Sequence, residues 1–276
     1  MSLVEFYKDK VVIVTGASMG IGKEIAAQVL SFGGKVVITG RNKERLVSAL
    51  NELGNNENIL IHQGDVTNYE SNVELVNKTI QKFGRIDSLI NNAGLSCFGE
   101  VDKMKPGVAK EIIDANIFGS LFPSMACIPE LKKSKGSIMF LSSLAGFHGL
   151  PQYSAYSLSK MSLKALSQSM HIELQSEGVF VGIAYVSFTE NEAQKKTLSP
   201  TGEWVDVPAR SKKLTVTRSE TALKILNQIK NQRFSKTHSF LGNFTNYVSR
   251  HFPRLTFALF KWNYKRTLDQ ANSIKK

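Results

Sequence analysis

The chain has 276 residues, 42% of them hydrophobic, which suits a globular α/β unit with one large core. Its two cysteines, Cys97 and Cys127, sit in no Cys-x-x-Cys or Cys/His cluster, which argues against a disulfide scaffold or zinc site and for reduced buried thiols in a cytoplasmic protein. The net charge of +12 is uneven: residues 1–206 carry 20 Lys+Arg and 21 Asp+Glu, whereas residues 207–276 carry 15 Lys+Arg against Glu220 and Asp269 alone.

The apolar run Val11 to Val14 predicts a buried strand rather than a signal-peptide core, and Ile21 to Phe32 a helix. Strands follow at Val36 to Thr39, Asn58 to Gln63, Ile86 to Ile90, Ser137 to Ser142 and Val179 to Val186. Helices are expected at Lys43 to Leu53, Glu70 to Phe83, Pro106 to Met125, Ser154 to Ser176 and Glu220 to Asn231, the last with Ser219 as N-cap. No run of about 18 apolar residues predicts a transmembrane helix. Apolar strands alternating with helices imply a doubly wound parallel sheet of Rossmann type, covered on both faces. Such sheets bind ligands beyond the carboxyl ends of their strands, where Gly16, Asn92, Ser143 and Ser187 fall. Residues 1–235 read as this domain and residues 236–276 as a basic, amphipathic extension. Thr189 to Thr215 is polar and irregular, the kind of long loop that often forms a lid.

Gly16, Gly20 and Gly22, with Ser18 and Ile21 between them, occupy the turn from the first strand to the first helix. Glycines there let the backbone approach a pyrophosphate resting on the helix N-terminus; a plain tight turn is the alternative. The second strand ends in Gly40-Arg41-Asn42, with no acid to grip ribose hydroxyls. A guanidinium at Arg41 suits a 2′-phosphate, so NADP(H) is favoured over NAD(H), a solvated surface arginine being the bland reading. Asp65-Val66 either contacts adenine or caps the next helix. Asn92, Ala93 and Gly94 are expected to line the cofactor, and Asn91 to be structural. Tyr156 and Lys160 lie four residues apart and share one helix face. A neighbouring ammonium favours the phenolate and so makes the phenol more acidic.

Thr15-Gly16-x-x-x-Gly20-x-Gly22, Asn91-Asn92-Ala93-Gly94, Asn116, Ser143 and Tyr156-x-x-x-Lys160 together resemble the short-chain dehydrogenase/reductase family over about residues 8–190. That resemblance implies a catalytic set. Tyr156 would be the general acid in reduction, and Lys160 would hold the nicotinamide ribose. Ser143 would bond the substrate carbonyl oxygen, and Asn116 would orient a water toward Lys160. Tyr153 is a rival tyrosine, but its i+4 partner is Ser157, which cannot acidify it; Ser142 is a rival serine one position out of register. His148 is a weak candidate for substrate contact, and His171 reads as packed or exposed. The family's Pro-Gly pair after the strand that follows the catalytic helix is replaced by Ser187-Phe188-Thr189, which puts the nicotinamide-face contacts and the lid in doubt.

The extension carries Phe240, Leu241, Phe244, Tyr247, Val248, Phe252, Leu255, Phe257, Leu259, Phe260 and Trp262, interleaved with Arg250, Arg254, Lys261, Lys265 and Arg266. Aromatics and cations at helical spacing suit an interfacial helix on an anionic membrane; a sister subunit or the substrate entrance are the alternatives. No motif supports nucleic-acid binding. A homodimer or homotetramer is expected, cytoplasmic or peripheral on a membrane. With the Gly40-Arg41 turn, the tail resembles the hydroxysteroid dehydrogenase and ketosphinganine reductase branch. The expected activity is NADP(H)-dependent hydride transfer with an apolar ketone or secondary alcohol, helped by Leu144, Phe147, Leu150 and Pro151 beside Ser143. An oxoacyl-thioester reductase acting on a carrier protein and a non-catalytic cofactor-binding sensor are the alternatives; no metal is expected.

Overall fold

The computed structural model describes residues 1–190, 196–207 and 215–274, including their side chains apart from those of Leu241 and of residues 266–274. In chain order the elements are α1 (Leu3–Tyr7), β1 (Val11–Thr15), α2 (Gly20–Ser31), β2 (Lys35–Gly40), α3 (Lys43–Glu52), β3 (Ile59–Gln63), α4 (Tyr69–Phe83), β4 (Ser88–Asn91), α5 (Pro106–Ile113), α6 (Gly119–Ser134), β5 (Ser137–Ser143), α7 (Ser154–Glu173), β6 (Phe180–Val186), β7 (Lys196–Leu198), β8 (Trp204–Asp206), α8 (Arg218–Lys230), β9 (Ser235–Thr237), α9 (Phe240–His251) and α10 (Pro253–Ile274).

Seven strands form one parallel sheet in the order β3-β2-β1-β4-β5-β6-β9. The order reverses between β1 and β4, which opens a crevice beyond their carboxyl ends. Apolar residues on both faces of the central strands explain why both faces are covered. Val12, Val14, Ile38 and Met139 pack toward α2 and α8, and Ile13, Val37, Leu89 and Phe140 toward the opposite layer with Leu75, Leu131 and Leu163. Tyr7 of α1 is fully buried, and its hydroxyl donates to the Leu226 carbonyl at 3.0 Å.

Several expectations need correction. The domain boundary after residue 235 falls inside β9, which pairs Ser235, Lys236 and Thr237 with Ile183, Ala184 and Tyr185. Three residues of mixed polarity carry no periodic signal, so this strand was not expected. Thr217, not Ser219, caps α8, its hydroxyl accepting from the Glu220 amide at 3.1 Å. The backbone is still extended at Val216, which bridges Thr189, so the helix begins one residue after Thr217. Asn68, not Asp65, caps α4. The polar stretch after Thr189 contains the β7–β8 hairpin, closed by a turn at Pro200 to Gly202. The Pro106–Ser134 stretch is long and apolar enough to span a membrane. Its α6 part packs on α4 and β4, the place of a core helix.

Candidate active site

The glycine turn is fixed by crowding. Gly16 and Gly20 both hold φ of 62°, which favours glycine. A Cβ on Gly16 would lie 2.8 Å from Ala93 Cα, and one on Gly22 would lie 2.4 Å from Asn92 Nδ2 and 2.9 Å from Ala17 Cα. Asn92 Nδ2 donates to the Thr15 and Gly16 carbonyls, each at 2.9 Å, while Thr15 Oγ1 accepts from the Asn92 and Ala93 amides at 3.0 Å. The ends of β1 and β4 are thereby stitched together. Asn91 is structural, donating to Ser124 Oγ at 2.9 Å from a buried position.

The helix N-termini differ. Asn42, Asn68, Thr217 and Ser239 each cap a helix with a side-chain hydrogen bond; Met19, Lys105 and Tyr153, at the heads of α2, α5 and α7, supply none. The positive end of the α2 dipole faces the crevice, where Gly20 and Ile21 form part of the wall, a setting that suits a phosphate.

Tyr156 and Lys160 enter the same crevice from α7. Lys160 is buried, and its Nζ donates to the Leu141 carbonyl at 3.0 Å and stands 5.8 Å from the Tyr156 ring centroid. Ser142 pins the helix, its hydroxyl donating to the Lys160 carbonyl at 2.9 Å. The rival serine is therefore a fastener, whereas Ser143 lines the crevice and accepts from the Ala145 amide at 3.3 Å.

A π-helical turn, Asp114–Phe118, lies within the expected helical stretch, between α5 and α6, and carries the buried Asn116. Such bulges recur at functional sites because they re-aim one side chain. The amide of Asn116 is engaged at both ends: Nδ2 donates to the Leu95 carbonyl at 2.9 Å and to Ser159 Oγ at 2.7 Å, and Oδ1 accepts from the Leu95 amide at 2.8 Å. Ser159 Oγ donates in turn to the Tyr156 carbonyl at 2.8 Å. The Asn116 side chain thus ties the segment after β4 to α7.

One cavity of about 1530 Å³ runs from the glycine turn to α7. Of the expected site residues, Gly16, Ser18, Gly20, Ile21, Arg41, Asp65, Val66, Asn92, Ala93, Gly94, Ser143, Tyr156 and Lys160 line it. Gly22 and Asn116 stand behind the wall. Asp65 Oδ1 accepts from the Thr67 amide and hydroxyl, at 2.9 and 2.8 Å, which holds its side chain in a local turn.

A short chain dehydrogenase profile matches residues 10–201, more than half of the sequence. The chain belongs to the short-chain dehydrogenase family. It is 38% identical over 177 residues to an uncharacterized oxidoreductase of Staphylococcus saprophyticus, covering 63% of this chain and 76% of that one. It is 36% identical to the 3-dehydrosphinganine reductase of Danio rerio, over 65% of this chain and 56% of that relative's length. It is 34% identical to 11-beta-hydroxysteroid dehydrogenase 1A of Arabidopsis thaliana, over 71% and 57%. The chain therefore spans little more than half the length of these two named relatives. Among solved structures, a short chain dehydrogenase from Burkholderia cenocepacia in complex with NADP superposes with a TM-score of 0.78 at 22% identity, covering 92% of this chain and 98% of that one. A short chain dehydrogenase/reductase from Burkholderia phymatum in complex with NAD gives 0.77 at 20%, covering 90% and 95%. At such identities these two likenesses establish the fold.

Within this short-chain dehydrogenase the sequence reading missed several cavity residues. Arg45 lines the wall beside Arg41, one helical turn on. Lys196, Thr197 and Trp204 reach it from the β7–β8 hairpin, which is clamped to the segment after β4 by Leu198 N to Ser96 O and Phe98 N to Leu198 O, each 3.0 Å. The Arg45 spacing was readable; the hairpin's contact was not. Of the apolar residues after Ser143, Leu144 and Leu150 line the cavity, whereas Phe147 turns inward to stack on Tyr185 at 3.8 Å. His148 stacks on Phe260 at 4.9 Å and meets Phe257 edge-on at 5.0 Å, so its ring is taken up by α10 rather than the cavity. His171 is packed against Phe234, its Nδ1 2.9 Å from the Val181 carbonyl.

Proposed function

We propose that the protein is an NADP(H)-dependent reductase or dehydrogenase that interconverts an apolar ketone and its secondary alcohol. One observation carries this: Tyr156 and Lys160 share the cavity that begins at the α2 N-terminus and the Arg41–Arg45 pair. The cavity fits a dinucleotide in donors as well as extent. The α2 terminus and the Gly16–Gly20 backbone would hold the pyrophosphate, Arg41 and Arg45 a 2′-phosphate, and Lys160 the nicotinamide ribose. When bound, the nicotinamide supplies or accepts the hydride. Ser143 would donate to the substrate oxygen and stabilise the charge that develops there. Tyr156 Oη would give its proton to that oxygen in reduction and take it back in oxidation. Lys160, buried one helical turn away, would favour the phenolate by its charge. Leu144, Leu150 and Phe188 supply apolar wall beside Ser143, which supports an apolar substrate.

NADPH oxidation against ketones of increasing chain length tests the reading. Tyr156→Phe should lower kcat/KM by about 10³-fold while leaving cofactor affinity near normal. Arg41→Ala should weaken NADPH by about tenfold or more and NADH little. Unchanged turnover in Tyr156→Phe would sink the catalytic assignment; equal effects on the two cofactors would remove the phosphate role. Turnover confined to carrier-bound thioesters would replace free ketones as the substrate class.

A further inference from the structure

The C-terminal helix pair is amphipathic with its faces reversed. In α9, Phe240, Phe244, Tyr247 and His251 fall on one stripe at helical spacing, and all four are exposed. Phe240 and Phe244 stack with their rings 6.5 Å apart, and Tyr247 lies 4.6 Å from the His251 ring. The opposite side turns Gly242 inward, where a Cβ would lie 3.0 Å from Leu144 Cδ2. In α10, Thr256 is buried and Phe260 and Tyr264 are partly covered, whereas Leu255, Leu259 and Trp262 form an outward stripe at 51%, 49% and 62% exposure. Arg254, Lys261 and Lys265 make a second exposed stripe along its flank. No carboxylate occurs between Glu220 and Asp269. A helix that serves only its own core buries its aromatics; here Phe240, Phe244, Tyr247 and Trp262 are exposed while Gly242 and Thr256 are buried.

The inward side is anchored to the active-site rim. The Ser239 cap of α9 shares a hydrogen bond with Ser187, which lines the cavity. Gly242 rests on Leu144, another lining residue, and α10 holds His148 between Phe257 and Phe260. Tyr264 donates to Glu100 Oε1 at 2.5 Å. The extension is thus bound on one side to segments that follow β4, β5 and β6, and presents the other to its surroundings.

We infer that α9 and α10 form an arm that docks the enzyme on an anionic lipid bilayer. The exposed aromatic and leucine stripes enter the headgroup–acyl boundary, and the basic stripe answers the lipid charge. A second copy of the chain would bring one basic surface against another, so the charge pattern favours the bilayer. The inference rests on the proposed function only for its consequence, that a lipid-like ketone reaches Ser143 from the membrane.

The test uses full-length protein with Trp204→Phe, which leaves Trp262 as the sole tryptophan. Flotation with phosphatidylglycerol-containing vesicles should recover the protein, with a blue shift of Trp262 emission. Binding to phosphatidylcholine vesicles should be about tenfold weaker or more. Arg254→Glu with Lys261→Glu should abolish the preference for anionic lipid, and Phe244→Ser with Leu255→Ser should weaken binding to both. Because the readout is binding, Tyr156→Phe protein should float like the parent; this separates failure of the docking reading from failure of the catalytic one. No flotation, or equal binding to both vesicle types, would overturn the inference. So would a dimer in sedimentation whose Trp262 is already shielded without vesicles and which Phe244→Ser with Leu255→Ser dissociates.

Discussion

The two ends of this chain use aromatic and apolar residues in opposite ways. In the sheet, Phe140 and Tyr185 are fully buried, and each apolar strand face is matched by a helix face. In α9 the rings face outward, with Phe240 86% exposed, and the inward contact is made by a glycine. The sheet therefore draws its stability from burial that it completes itself, whereas the tail leaves apolar surface exposed. The same residue type is buried in one region and exposed in the other.

Truncating a ring in the sheet sets the upper end of that contrast. Phe140→Ala should destabilise the fold by about 4 kcal/mol, from lost burial and the cavity left behind, as denaturant unfolding would measure. A cost below about 1 kcal/mol would show that the sheet repacks freely and that the two regions differ less than their burial indicates. Second in size is the glycine turn. Gly22→Ala puts a methyl group against Ala17 Cα and the Gly16 carbonyl, both backbone atoms at 2.9 Å, as well as the Asn92 amide. We expect a loss of about 2–3 kcal/mol together with loss of NADPH binding by calorimetry. Normal affinity would mean that the turn is less tightly dictated than its stitching to β4 implies.

How much of this was legible in the sequence follows the same division. Gly16, Gly20, Tyr156 and Lys160 announce themselves because each meets a local demand: a left-handed turn, a close approach, a shared helix face. The strands were readable because a strand buried on both faces must be apolar throughout. Asn116 was readable as a site residue, but the contacts that hold it were not. The π turn that aims it, and its bonds to Leu95 and Ser159, depend on contacts between segments far apart in the chain. β9 and the β7–β8 hairpin were invisible for a related reason: three-residue strands are stabilised by their partners, not by their own pattern. The tail was legible as basic and amphipathic, yet which stripe faces the protein was decided by Gly242 and Thr256, small residues that a search for apolar periodicity ignores.

The junction between the two regions offers a pH-dependent test. His238 lies at the end of β9, just before the α9 cap, buried with neither ring nitrogen hydrogen-bonded. Burial first, then the charges of Lys236 and Lys224, lower its pKa to about 4. An unfolded histidine titrates near ~6.5 and so takes up protons before the folded one does. Stability from this group is therefore present above about pH 6.5 and is lost as pH falls toward about 4, amounting to about 2 kcal/mol between pH 7 and 5. His238→Leu should flatten that part of the profile. His62, also buried and lowered chiefly by desolvation, pushes in the same direction and should leave a residual slope. An unchanged profile in His238→Leu would show that the histidine becomes solvated before it titrates, meaning that the tail lifts from the sheet edge in that pH range.

The smallest expected effect is the most telling for the comparison. Phe244 is 54% exposed, and its partner in stacking is another exposed ring, Phe240. Phe244→Ser removes little surface that the folded chain has buried, so the midpoint of unfolding should move by no more than about 0.5 kcal/mol. A similar truncation at Phe140 should cost several times that, although both positions hold the same side chain. If Phe244→Ser proves strongly destabilising in solution, its ring is already covered in the isolated protein, and self-association becomes the cause to pursue. If it is neutral in solution yet lowers the thermal stability gained on adding anionic vesicles, the missing burial belongs to the bilayer. A ligand that binds only the folded chain raises its stability by mass action, so that gain measures how much of the docking energy this ring supplies.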